Sequence, residues 1–264
     1  MAAQIVTIYY TLYYMSMINK KVTVTISALI KKVTVTILVT ILLLLSSSCS
    51  ARIDGVVREG GAAELTLQTA LEPRTSALMR SFRGFMGEAV DTPVLDGRAI
   101  SLSMAAAPGV RSVSLVNTGP EAMDGGISIT NVGDFLASGG GNRFITFTEG
   151  RDASSIVVSL DRRSAPDLIA RLSPEIEDYL MALMAPAVLG EPNTRLEYIA
   201  LISAVYGRPL ANEISDAKIR AFIEFPRPIK AIRGGTAAGR LAEFEIPLLD
   251  VLVLEQALRY EVSW

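Results

Sequence analysis

ARIDGVVREGGAAELTLQT, residues 51–69, holds two strand-like runs around a Gly60-Gly61 pair. In the second run Leu65 and Leu67 alternate with Glu64, Thr66 and Gln68, the period of two that sends apolar side chains to one face of a strand. Two such runs joined through glycines predict a β-hairpin. The same grammar returns downstream. VRSVSLVN (110–117), GGISITNV (125–132), NRFITFTE (142–149) and SSIVVSL (154–160) read as short strands. So do AKIRAFIEF (217–225), PIKAI (228–232), GRLAEFEI (239–246) and LRYEVSW (258–264). In the last of these Leu258, Tyr260, Val262 and Trp264 share one face, which predicts a buried Trp264. Losing Tyr260 to Trp264 is then expected to prevent folding, and trimming Ser50 to Ile53 to be better tolerated.

Helical periodicity separates the strand groups. Pro73 to Glu88 predicts a helix opened by proline, with Leu78, Met79, Phe82, Phe85 and Met86 on one stripe. Asp96 to Ala107 predicts a second, capped by Asp96 and stopped by Pro108-Gly109. From Ser164 come SAPDLIARL, SPEIEDYLMALMAPAVL and NTRLEYIALISAVYG, each with Ser or Asn near its start. The predicted fold class is α+β: a largely antiparallel sheet with a helical insertion (about 164–216) packed on it. A Rossmann-type sheet is disfavoured, because strand and helix do not alternate and no GxGxxG opens a helix. Gly139 to Gly141 lack the GK[ST] continuation of a phosphate loop and read as an exposed connection.

Charge divides the chain at Cys49. Residues 1–48 contain four lysines and no acid; all 27 acidic residues and 21 of the 25 basic ones lie from Cys49 onward. Immediately upstream, VTVTILVTILLLL (33–45) is a 13-residue apolar run preceded by Lys31-Lys32 and followed by three serines. As a helix it would reach roughly 20 Å, short of the ~30 Å hydrocarbon core. A basic n-region, a short h-region and small residues before a cut predict a signal peptide over 1–48, with residues 1–16 expected to be untranslated if Met17 is the start. The tandem KKVTVTISALI (20–30) and KKVTVTILVTI (31–41) read as a duplicated n-region. The rival reading is a membrane anchor over residues 2–45, against which the two lysine pairs argue. Residues 49–264 are expected to form a single globular α+β domain.

The cysteine at this boundary resembles the lipobox cysteine of bacterial lipoproteins. That resemblance implies acylation at Cys49 and a membrane held through acyl chains. The box departs from the usual pattern, with Ser46 where Leu is expected and Leu45 one position further back; spirochaetal lipoproteins have such relaxed boxes. Residues 49–264 also resemble an uncharacterised family of spirochaetal (treponemal-type) lipoproteins, through PGVRSVSLVNTGP (108–120), GDFLA (133–137), LSPEIEDYLMALMAP (172–186) and AEFEIPLLDVLVLE (242–255). Over 217–264, IRAFIEFPRPIKAIRGG and the strands after it are similar to the sheet end of LppM-like bacterial lipoproteins, a group associated with lipid binding. That group usually has Asn-Gly where this chain has Gly234-Gly235.

Composition narrows the chemistry. No histidine is present, which removes Ser-His-Asp and Cys-His catalysis and His-ligated metal sites, and one cysteine permits no intrachain disulfide. A mildly acidic body with scattered arginines gives no footprint for nucleic acid. Glu175, Glu177 and Asp178 fall in or near a first helical turn and read as dipole partners. Glu243 and Glu245 read as the solvated side of a strand, and Arg162, Arg163 and Arg233 as surface or headgroup contacts. YLMALMAPAVLG (179–190) and LEYIALISAVY (196–206) read as core, or as the lining of an acyl-chain cavity between the 164–206 helices and the C-terminal sheet. No catalytic residue, cofactor or metal site is predicted. The expectation is a non-enzymatic lipoprotein of the cell envelope, on the periplasmic face or in the outer membrane. It would bind a lipid or other amphiphile, or dock another envelope protein without a ligand pocket.

Overall fold

The computed structural model describes residues 49–85, 93–105, 107, 109–138, 144–165 and 180–264. Strand β1 (Cys49–Val57) pairs antiparallel with β2 (Ala63–Ala70), Gly55 opposite Leu65 and Val57 opposite Ala63. The predicted hairpin therefore forms in the predicted place. Its turn is left-handed at Gly60 and Gly61, with φ of 77° and 79°, a conformation that costs little without a Cβ.

Strands β3 (Val110–Gly119) and β4 (Ala122–Ile129) extend this hairpin on the β2 side. Next come β5 (Ile145–Thr148) and β6 (Ser155–Leu160), then β7 (Lys218–Glu224), β8 (Ala231–Arg233), β9 (Gly235–Ala238), β10 (Leu241–Pro247) and β11 (Leu258–Ser263). They form two sheets, a seven-stranded one in the order β3-β4-β2-β1-β7-β10-β9 and a four-stranded one in the order β5-β6-β11-β8. Among the described residues every pairing is antiparallel except β1 with β7, where Ile53 adjoins Ala221 and Gly55 adjoins Ile223. The antiparallel-dominated α+β class matches the expectation. β1, however, is interior to the larger sheet and paired on both sides, so residues 51–53 belong to two ladders and are no dispensable end.

Alternation makes the larger sheet two-faced. One face carries ion pairs: Arg52 with Asp54 at 2.7 Å, Lys218 and Arg220 with Glu245 at 2.6 and 3.2 Å, and Arg240 with Glu224. Arg52 also lies 4.5 Å from the Phe222 ring centre on that face. The other face carries Ile53, Val57, Leu65, Ile223 and Phe244 and turns toward the smaller sheet. At one side the chain passes directly from sheet to sheet, β8 continuing into β9 through Gly234 at φ 79°. There the rings of Phe244 and Tyr260 meet edge to face, centroids 6.0 Å apart. A Cβ on Gly234 would come within 2.7 Å of the Tyr260 ring, and one on Gly235 within 2.6 Å of Phe244. Glycine lets the backbone run against both rings.

The described helices are α1 (Pro73–Phe85), α2 (Gly97–Ala105), α3 (Val132–Ser138), α4 (Pro186–Leu189), α5 (Arg195–Tyr206), α6 (Arg208–Asp216) and α7 (Leu248–Val253). Asp96 caps α2 as predicted, its Oδ1 accepting from the backbone N–H of Arg98 and Ala99 at 2.9 and 3.1 Å. Helix α2 covers the β3–β4 wing through Ile100, Leu115 and Met123. α3 was not predicted: β4 stops at Ile129, and the Asn131 side chain accepts from Asp134 N–H at 3.0 Å to start a helix. α5 opens on a capping box between Thr194 and Glu197. Glu213 on α6 accepts from the N–H groups of Arg74 and Thr75 and so caps α1. α4 to α7 share a core around Tyr198 and Ile202, both fully buried, and the Tyr198 hydroxyl donates to the Leu183 carbonyl at 2.9 Å. The predicted helix through 173–189 is interrupted at Met184, where φ is 48°. Glu175, Glu177 and Asp178, Gly139 to Gly141 and the predicted signal peptide 1–48 lie outside the described residues.

Candidate functional site: an apolar cavity between the sheets

The two sheets do not close fully on one another. Between them lies a partly open cavity of about 340 Å³. Its floor is the inner face of the larger sheet, with Ile53, Leu65, Ala221, Ile223 and Phe244. Ile156 and Val158 of β6 and Tyr260 and Val262 of β11 form the opposite wall, and α3 contributes Val132 and Phe135. At one end the sheets meet: Trp264, 2% exposed, tilts against Phe225 with centroids 4.4 Å apart and stacks on Phe147 at 6.3 Å. Its backbone exchanges two 3.0 Å hydrogen bonds with Ser154, one step beyond the Ser263–Ser155 pair of β11 and β6. The predicted burial of Trp264 is therefore met.

The hollow has a cause in the sequence. Where the larger sheet is centred, inward positions are held by Gly55 and Ala221, with Ala63 nearby. Their large neighbours Ile53, Leu65 and Ile223 consequently remain only half-buried although they lie in the middle of a sheet. Residues at such positions ordinarily make six to twelve side-chain neighbours and lose their exposure.

Polar chemistry inside is sparse. Tyr260 presents its ring, and burial first, then the Asp250 carboxylate, push its hydroxyl above the ordinary tyrosine range, so it stays protonated at neutral pH. Glu261 touches the cavity but accepts from Arg259 at 3.0 Å. Among the described residues no group of three or more Cys, Asp or Glu side chains could hold a metal ion. The lining offers apolar contact and shape; it brings no nucleophile and base together.

The residues singled out in sequence fall elsewhere. Glu243 and Glu245 are exposed on the outer face, Glu245 held below the ordinary glutamate range by its hydrogen bond from Lys218 against the opposing effect of burial, with the charges of Lys218 and Arg220 assisting. Arg162 is structural, donating to the carbonyls of Asn193 and Val253 at 2.5 and 3.3 Å. Cys49 is the first residue of β1, in register with Lys218. The described part of the 179–206 segment packs with α6 and α7 rather than lining the cavity, which lies between sheets and not between those helices and a sheet. Sequence reading missed Gly55 and Ala221; their signal is a small residue at an inward position of an otherwise bulky alternation.

An α+β protein of two sheets around an apolar chamber is the class that fold and site define. Among solved structures, the NMR structure of the folded domain of the Mycobacterium tuberculosis LppM protein is similar at 9% identity and a TM-score of 0.38, covering 81% of this chain and 86% of that one. No family model and no curated protein matches the chain. No described helix is long and apolar enough to cross a membrane.

Proposed function

We propose that this protein is a non-enzymatic lipoprotein of the cell envelope, of the spirochaetal kind, anchored through acyl chains on Cys49, and that it holds the apolar part of a lipid or other amphiphile between its sheets. The observation that carries the ligand reading is the cavity. Its 340 Å³ fall in the ~300–1,000 Å³ range of small-molecule sites. Apolar surface on the inner face of the larger sheet, that of Ile53, Leu65 and Ile223 included, is left only half-buried around it, where close packing would have covered it. An almost wholly apolar lining suits an alkyl chain or small ring system whose polar head stays outside.

Native mass spectrometry of residues 50–264 tests the ligand: co-purified lipid is expected, and a preparation free of it that also fails to take up added amphiphile would leave the docking of an envelope protein as the better reading. The anchor is tested separately. Cys49→Ser is expected to remain an uncut precursor without incorporated fatty-acid label, and label retained in that variant would refute acylation at Cys49.

A further inference from the structure

We infer that Gly55 sets the usable depth of the cavity and so the length of alkyl chain it accepts. The inference rests on the amphiphile-binding reading. Gly55 lies midway along β1, between Ile53 and Val57, which both line the chamber, and so faces it. Its partners across the two ladders are Leu65 on β2 and Ile223 on β7, and both line the chamber as well. A Cβ placed on Gly55 would stand 2.7 Å from Leu65 Cδ2 and 2.7 Å from Ile223 Cδ1, closer than carbon atoms tolerate. The next nearest atom, the Glu64 carbonyl oxygen, is 3.7 Å away, an ordinary contact. The obstruction is thus confined to the tips of two flexible side chains. Both side chains line the hollow, which gives those tips room to move into it.

The backbone imposes no requirement for glycine here. Gly55 lies in regular strand, outside the positive-φ region that excludes other residues. A glycine inside a strand ordinarily weakens it and marks a close approach. What approaches here is a pair of side chains leaning over a gap rather than another backbone. Alanine at this position is accordingly compatible with the fold and incompatible with the full chamber: it converts ligand space into packed side chain. A property tuned by one hydrogen-to-methyl change is a specificity determinant for the bound chain.

Titrating the 50–264 protein with a homologous series of n-alkanoates, octanoate to palmitate, tests this. Binding to the unaltered protein is expected to strengthen with length and then level off. In Gly55→Ala the plateau moves to shorter chains, with about fourfold weaker binding for each methylene the chamber no longer holds. Gly55→Ala combined with Leu65→Ala is expected to restore the longer chains. Identical length profiles for the unaltered protein and Gly55→Ala would overturn the inference. If the unaltered protein binds none of the series, the ligand reading falls, and xenon uptake followed by NMR still judges Gly55. Lower uptake in Gly55→Ala, with an unchanged circular dichroism spectrum, supports its part in holding the hollow open, and equal uptake refutes it.

Discussion

Trp264 shows how much one side chain can carry when it stands where two sheets touch. It packs on Phe225 and Phe147, and its main chain is tied to Ser154. Trp264→Ala is expected to lower unfolding free energy by about 3–5 kcal/mol, read from urea denaturation. The unaltered protein should emit as a buried indole, blue-shifted and poorly quenched by acrylamide. Glu72 makes the opposite kind of contribution. Burial first, and then the neighbouring Glu213 carboxylate, raise its pKa above the ordinary glutamate value. A carboxyl raised on folding binds its proton more tightly in the native state. The favourable effect is complete below the ordinary glutamate pKa and is lost as pH climbs through the raised one. Glu72→Gln is therefore expected to raise the melting temperature at neutral pH and leave it nearly unchanged in acid. An equal gain at both would show that charge is not the cause.

At the scale of the element, capping and alternation were legible and partnership was not. The Asp96 cap, the hairpin at Gly60-Gly61 and the alternating face of 258–264 are local chemistry, readable because each is settled within a few residues. α3 and α7 were missed because each is under eight residues long, too short for a helical period to declare itself. The capping box at α5 gives a direct measure of a local rule: Thr194→Ala removes the oxygen that accepts from Glu197 N–H, and about 1 kcal/mol of stability is expected to go with it. β1 illustrates the other case. Its sequence announces a strand but says nothing of β7, and the expectation that Ser50 to Ile53 can be trimmed follows from seeing one partner instead of two. With both ladders in view, deletion of residues 50–53 is expected to unfold the body much as deletion of 260–264 does, judged by far-ultraviolet circular dichroism of the two fragments.

For the whole molecule, the class of fold followed from composition and periodicity, whereas the division into two sheets and the space between them did not. Which inward residues meet which is set by long-range register, and a cavity is the place where that meeting fails. Gly55 and Ala221 are unremarked in sequence because small residues in strands have many uses; only the pairing of β1 with β7, which sets them diagonally on one face, Gly55 opposite Ile223 and Ala221 opposite Ile53, gives them a shared consequence. The same parallel pair has another effect, on the order of events in synthesis. β1 is made early, but the strand that completes its far edge follows every described element from β2 to α6. At the ~5–20 residues per second of translation, roughly 10–30 s separate the two. Throughout that interval β1 presents an unpaired edge and an uncovered apolar face, the combination most prone to wrong partners. Folding that waits for so distant a contact is slow once it can begin. A nascent chain of this protein is consequently expected to stay unfolded and threadable for as long as β7 is withheld, which protease sensitivity of ribosome-bound chains ending before Lys218 would check.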